Sequence, residues 1–148
     1  MTPLARIAQL SITLSALTLS LALAPAAAAA QDGAITVTEI VTSRAYTAAA
    51  GATDPTATFA ASDGRVYVVV RVQNTTGAEA DIRVSFERAE GTPADGAGTG
   101  GVTLHLPASR RYRTVARTST SRPAGHYRAV VRTADGHVIG SVEFEITE

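Results

Sequence analysis

No cysteine, tryptophan or lysine occurs among the 148 residues, and all 13 basic side chains are arginine. Without cysteine there are no disulfides, thiol nucleophiles or thiolate metal sites; without lysine there is no Schiff-base chemistry. Arginine-only usage says little about function, because Ala (present 29 times) and Arg both draw on GC-rich codons and Lys on AT-rich ones. Also missing are a G-x-S-x-G elbow, a P-loop, an H-E-x-x-H pair and a dinucleotide fingerprint. The 13 basic and 13 acidic residues cancel, which argues against a nucleic-acid partner.

What the chain does contain begins with an address. Residues 1–30 carry Arg6, a mostly apolar stretch from Ile7 to Ala24, and Pro25 followed by five alanines. This three-part order predicts a secretory signal peptide, with Ala28 and Ala30 meeting the peptidase requirement and cleavage before Gln31. An uncleaved anchor is the competing reading, since the stretch could just span a bilayer. Scattered Ser and Thr and the Ala-rich exit favour cleavage. The expectation is therefore a periplasmic or secreted protein with no transmembrane segment after cleavage, its residues 31–148 forming one domain. That length buries enough surface to fold without disulfides.

After residue 30 no segment keeps an apolar face at helical spacing for three turns; alternation broken by Gly, Pro, Asn and Asp predicts strands throughout. Candidate strands are Ile35 to Tyr46, a short piece at Thr58 to Ala60, Arg65 to Gln73, Ala78 to Arg88, Val102 to Leu106, Arg111 to Thr118, Gly125 to Thr133 and His137 to Thr147. The Gly-rich stretch from Gly91 to Gly101 reads as a mobile loop, and Ala48 to Asp54 is similar in kind.

Two hairpins can be tested by cross-strand arithmetic. Asp135-Gly136 fits a two-residue type I′ turn, which places Tyr127 opposite Phe144, Ala129 opposite Val142 and Val131 opposite Gly140. The other face then pairs Arg128 with Glu143 and His126 with Glu145, giving one apolar and one charged face. A second hairpin turning at Thr75-Thr76-Gly77 would pair Val72 with Ala80, Val70 with Ile82, Val68 with Val84 and Val66 with Phe86. Its outer face would hold Arg71 against Asp81 and Arg65 against Glu87.

These elements predict an all-β fold: an immunoglobulin-like antiparallel β-sandwich of about seven strands, with a closed barrel as the alternative. The expected core is Val37, Val66, Val68, Val70, Val72, Ile82, Val84, Phe86, Leu104, Leu106, Tyr112, Tyr127, Val142 and Phe144.

Four blocks in order carry a resemblance: the first strand, Thr36 to Tyr46; G-R-V-Y-V-V-V-R-V-Q-N from Gly64; R-Y-R-T from Arg111; and G-H-Y-R-A-V-V-R-T-A-D-G-H-V-I-G-S-V-E-F-E-I from Gly125. Together they resemble the bacterial domain-of-unknown-function family 2914. The family usually has Trp where this chain has Tyr112 and Tyr127, and a further Trp near Phe86. The resemblance implies an exported or membrane-attached β domain and supplies no mechanism.

Candidate chemistry is sparse. His105, His126 and His137 are 21 and 11 residues apart and read as exposed strand or turn residues, so neither a metal nor a cofactor is expected. Glu143 and Glu145 have cross-strand partners and no cleft to separate their pKa values, so no catalytic residue is assigned. The sharper feature is charge asymmetry: His105 to Thr133 holds seven Arg and no acid, whereas Gln31 to Gly101 holds five Arg and nine acids. Alternation puts Arg111, Arg113 and Arg117 on one side of their strand. If that strand neighbours the last hairpin, Arg128 and Arg132 extend a basic face suited to an anionic polymer of the envelope. The competing reading is a solvated face neutralised by its neighbours. The function expected is a non-enzymatic interaction module contacting a protein or an anionic envelope component. The alternative is a structural or accessory subunit assembling through an edge strand such as Ile35 to Tyr46. Asn74-Thr75-Thr76 also fits a glycosylation sequon, though its residues suit the turn.

Overall fold

Alternating β-branched residues build two sheets that face each other across one apolar core. The computed structural model describes residues 34–89 and 101–148. The leader, and the Gly-rich loop but for Gly101, lie outside the described residues.

One sheet has three antiparallel strands in the order β1 (Ile35–Ser43), β5 (Arg65–Asn74), β8 (Arg111–Ser119). The other has five, in the order β4 (Thr58–Ala60), β10 (Val138–Thr147), β9 (Gly125–Thr133), β6 (Ala80–Arg88), β7 (Gly101–Leu106). Within it only β4 runs parallel to its neighbour, placing Phe59 beside Ile146. Between β1 and β4 a small hairpin of β2 (Tyr46–Thr47) and β3 (Gly51–Ala52) forms a flap, so the segment Ala48 to Asp54 is not the plain loop its composition suggests. The order matches the immunoglobulin scheme, with β1, β5 and β8 as strands A, B and E, and β6, β9 and β10 as C, F and G.

The last hairpin has the expected register: Tyr127 faces Phe144, Ala129 faces Val142, and Arg128 faces Glu143. Its turn differs. Thr133 and His137 close a three-residue loop in which the Gly136 N–H donates to the Thr133 carbonyl at 2.9 Å and Gly136 takes φ 92°. A left-handed glycine at the third position is the mark of a bulged turn rather than a type I′ turn. A register shift between Val138 and Gly140 then restores the pairing. The bulge absorbs the one-residue difference, so the simpler turn and the true one give the same partners.

The proposed hairpin at Thr75-Thr76-Gly77 does not form. β5 is central in its sheet, bonded to β1 and β8 on its two flanks, and β6 belongs to the opposite sheet. Asn74 governs the arch between them. It is 1% exposed; its side-chain Nδ2 donates to the Ala78 carbonyl at 2.6 Å, and its Oδ1 accepts from the Thr76 N–H and hydroxyl. The Asn74 and Thr75 N–H groups donate to the carbonyls of Arg110 and Ala34, extending β5's bonds to both flanks. The arithmetic failed because stacking two strands face to face buries the same residues as pairing them side by side. Val66, Val68, Val70 and Val72 do meet Ile82, Val84 and Phe86 in one buried cluster.

That core includes most of the expected residues and adds Phe59, Ala116, Ala129, Val131 and Ile146. Val37, Leu104 and Val142 are only partly buried against it, and Tyr112, expected inside, is 38% exposed. Tyr112 sits near the start of β8, an edge strand, where the sandwich is open. Phe144 lies at the centre, edge-on to Phe59 and Phe86 and stacked on Tyr127. Tyr127 is fully buried and its hydroxyl donates to the Pro123 carbonyl, four residues upstream, at 2.6 Å. This bond is the tyrosine corner of immunoglobulin-like sandwiches. On the β1–β10 side the sheets approach closely: a Cβ on Gly140 would lie 2.8 Å from Ile40 Cδ1.

Candidate functional site: the two charged outer faces

Each sheet turns one side to the core and the other outward, and the outward residues divide the arginines between two surfaces. The expected single face of Arg111, Arg113, Arg117, Arg128 and Arg132 does not exist. Arg111, Arg113 and Arg117 stand on β8 in the three-stranded sheet, while Arg128 and Arg132 stand on β9 in the five-stranded sheet. The two strands belong to different layers, so their outward sides face away from one another.

On the five-stranded sheet Arg128 and Arg132 are neutralised. Arg132 donates to Glu87 Oε1 at 3.0 Å and to the Ser85 hydroxyl at 2.5 Å, and Arg128 lies 3.6 Å from Glu87 Oε2. Partial burial pushes the Glu87 carboxyl up, but the Arg132 hydrogen bond and charge, the Ser85 hydroxyl and the Arg128 charge together hold it below its ordinary range. A shallow groove of about 540 Å³ crosses this face past Asp81, Arg83, Ser85, Glu87 and Arg132. The partners expected for Asp81 and Glu87 are thus replaced: Asp81 Oδ1 lies 2.9 Å from His105 Nδ1, and Glu87 serves β9 rather than Arg65.

The three-stranded sheet has the opposite balance. Its registry puts Arg71 directly opposite Arg113, Gln73 opposite Arg111, Tyr67 opposite Arg117 and Arg65 opposite Ser119. Five arginines therefore share one face, and Arg65 and Arg71 on β5 are the members the sequence reading assigned elsewhere. Arg71 bonds Glu39 on β1 at 2.8 Å. Arg113 is spent on structure, donating to the Ala48 and Ala49 carbonyls at 2.6 and 3.0 Å and so tying down the β2–β3 flap. Tyr46 of that flap stacks on Tyr67, with ring centroids 6.3 Å apart, and Val69 beneath is buried. Arg65, Arg111 and Arg117 are exposed and have no acidic partner among the described residues. A groove of about 520 Å³, no larger than that on the other face, is lined by Thr38, Arg71, Gln73, Arg111, Tyr112 and Arg113. Shape does not separate the two surfaces; charge does.

The histidines do not converge. His105 sits by Asp81 and Glu79, His126 lies 4.0 Å from Glu145, and His137 lies 3.2 Å from Asp135. Among the described residues no three His, Asp or Glu side chains gather in a metal-binding arrangement.

No protein-family model matches the chain, and no curated protein matches it in sequence. Among solved structures it is similar to an immunoglobulin-like protein from Pseudomonas aeruginosa, with TM-score 0.53 and 11% identity over 76% of this chain and 96% of that one. The fold is immunoglobulin-like. Part of a Pseudomonas fluorescens alkylpurine DNA glycosylase, bound to DNA containing an abasic site analog, is also similar, with TM-score 0.49 and 14% identity over 77% of this chain and 30% of that one. For a Kluyveromyces marxianus β-glucosidase in complex with glucose the values are 0.45 and 12%, over 77% and 14%. The chain spans a minor part of those two enzymes, and at such identities the likeness concerns the fold alone.

Proposed function

We propose that this protein is an exported, non-enzymatic interaction module of the cell envelope that contacts an anionic partner through the outer face of its three-stranded sheet. The observation that carries the reading is the contrast in pairing: Arg65, Arg111 and Arg117 point outward with no acidic partner among the described residues, while Arg128 and Arg132 on the opposite face hold Glu87. Unpaired guanidinium groups retain all their donors for carboxylate or phosphate. The leader of residues 1–30 supports a periplasmic or extracellular address, and the resemblance to family 2914 belongs to the same proposal.

Assembly through the first strand has less support. The C-terminal part of β1 already meets residues 54–56, with the Arg44 N–H donating to Asp54 and the Thr56 N–H donating to Thr42, and Ile40 packs against β10 at Gly140.

The test is retention on immobilised heparin, a generic polyanion. Arg65→Gln, Arg111→Gln and Arg117→Gln combined should abolish salt-sensitive retention, whereas Arg128→Gln should leave it unchanged. Equal retention of the triple variant and the parent would overturn the assignment of this face.

A further inference from the structure

The basic face ends in a strand edge that is open among the described residues, and the backbone there has a definite polarity. β8 is the terminal strand of its sheet, bonded to β5 and to no second strand among the described residues. The Asn74 N–H donates to the Arg110 carbonyl, and in an antiparallel ladder hydrogen-bonded and non-bonded pairs alternate. Tyr112, Thr114, Ala116 and Thr118 therefore direct their N–H and C=O groups to β5. Arg111, Arg113, Val115 and Arg117 direct theirs to the open flank. The Arg111 carbonyl is covered by the Ser109 hydroxyl at 2.8 Å, which leaves the groups from Arg113 to Arg117 as a run of donors and acceptors without a partner among the described residues.

Side chains on the two sides of this edge differ in chemistry. The outward side carries Arg111, Arg113 and Arg117. The inward side begins with Tyr112, 38% exposed although it points toward the core side, and the facing edge strand β7 has Val102, 40% exposed, opposite the buried Val84. A strand added beside β8 would place alternate side chains against these two environments, acidic ones outward and apolar ones inward. A second copy of this chain fits poorly through β8 itself, since pairing β8 with β8 would set arginine against arginine. That repulsion disfavours self-association through this edge. It does not repel a strand of opposite charge.

We infer that the open flank of β8 receives an extended acidic segment of a partner protein as a fourth strand of the three-stranded sheet. Main-chain bonds to Arg113, Val115 and Arg117 hold it, and carboxylates on its outward residues meet Arg111 and Arg117. This inference rests on the reading of the arginine face as a contact surface and narrows it to a strand-forming peptide.

The experiment titrates the purified ¹⁵N-labelled protein with an eight-residue peptide of alternating Glu and Val, following amide hydrogen exchange and affinity. The expected result is slowed exchange at Arg113, Val115 and Arg117 with little change at Tyr112, Thr114 and Ala116, which β5 already protects. Methylating every peptide amide keeps the carboxylates and removes the donors, and should weaken binding by about tenfold or more. The variant Arg111→Gln/Arg117→Gln, with an unchanged circular dichroism spectrum, should bind the unmodified peptide about three- to tenfold more weakly. Equal binding of the methylated peptide, or of an alternating Lys and Val peptide, would overturn strand addition. Heparin binding without any slowing at those three amides would also overturn it, in favour of an anionic polymer lying on the face, and would leave the broader reading standing. If neither heparin nor the Glu and Val peptide binds, both readings fall.

Discussion

The outer face of the five-stranded sheet and that of the three-stranded sheet carry the same kind of side chain in opposite circumstances. On the first, Arg128 and Arg132 converge on Glu87, a partly buried carboxylate whose removal would strand two cations. On the second, Glu39 answers one arginine, backbone carbonyls of the flap answer another, and Arg65, Arg111 and Arg117 are exposed with no acidic partner among the described residues. A guanidinium that has a partner stabilises the fold and is poor at recruiting a ligand; one without a partner does the reverse. Counting arginines along the chain cannot tell these apart, because the distinction depends on which strand lies next to which.

Four measurements test this contrast. The largest effect is expected at Glu87. Glu87→Ala leaves Arg128 and Arg132 without their shared carboxylate and should cost about 1–3 kcal/mol in urea unfolding, while giving the five-stranded face a new affinity for heparin. If the variant is as stable as the parent, the face is not held by this cluster. Next is Arg113→Ala, which removes both bonds to the flap. Global stability should fall by about 1 kcal/mol or less, and hydrogen exchange should quicken at Ala45 to Thr53 well before the rest of the sheet.

A pH series comes third. The folded Glu87 carboxyl titrates below its ordinary value of 4.5, so its contribution is fully present above that value and disappears as pH falls through the lowered folded value. The stability gap between the parent and Glu87→Gln should therefore be widest near neutral pH and close on acidification; a gap that widens toward acid would contradict the sign. The smallest stability effect belongs to the combined Arg65, Arg111 and Arg117 to Gln variant, within about 0.5 kcal/mol of the parent by thermal unfolding. A larger loss would mean that these side chains hold the fold together after all.

Much of the sandwich was legible in the sequence because alternation reports which side of a strand is buried. It located the strands and gave correct partners from Tyr127–Phe144 to Val131–Gly140. Alternation does not report whether an apolar side faces a neighbour in the same sheet or a strand across the core. Hence Val70 and Ile82 were both placed inside, yet their strands were paired when they stack. The same ambiguity reaches the surface: side-by-side pairing sets Arg71 against Asp81 and Arg65 against Glu87, and so hides two members of the basic face. Tyr112 failed for a related reason, since its inward direction says nothing about whether an edge is covered. Arg113 has no counterpart signal in local spacing, because its partners, Ala48 and Ala49, are more than sixty residues away and offer only main-chain oxygens.

The arch at Asn74 has a consequence for covalent chemistry. Asn74-Thr75-Thr76 is an acceptor sequence for N-linked glycan, yet the amide nitrogen that would carry the sugar is already committed to Ala78 inside the folded protein. Folding and modification therefore compete for one nitrogen atom. In a host with the glycosylation machinery, the fraction of chains carrying glycan at Asn74 would count those that met the transferase before the arch closed, which makes this residue a clock on how quickly the two sheets come together.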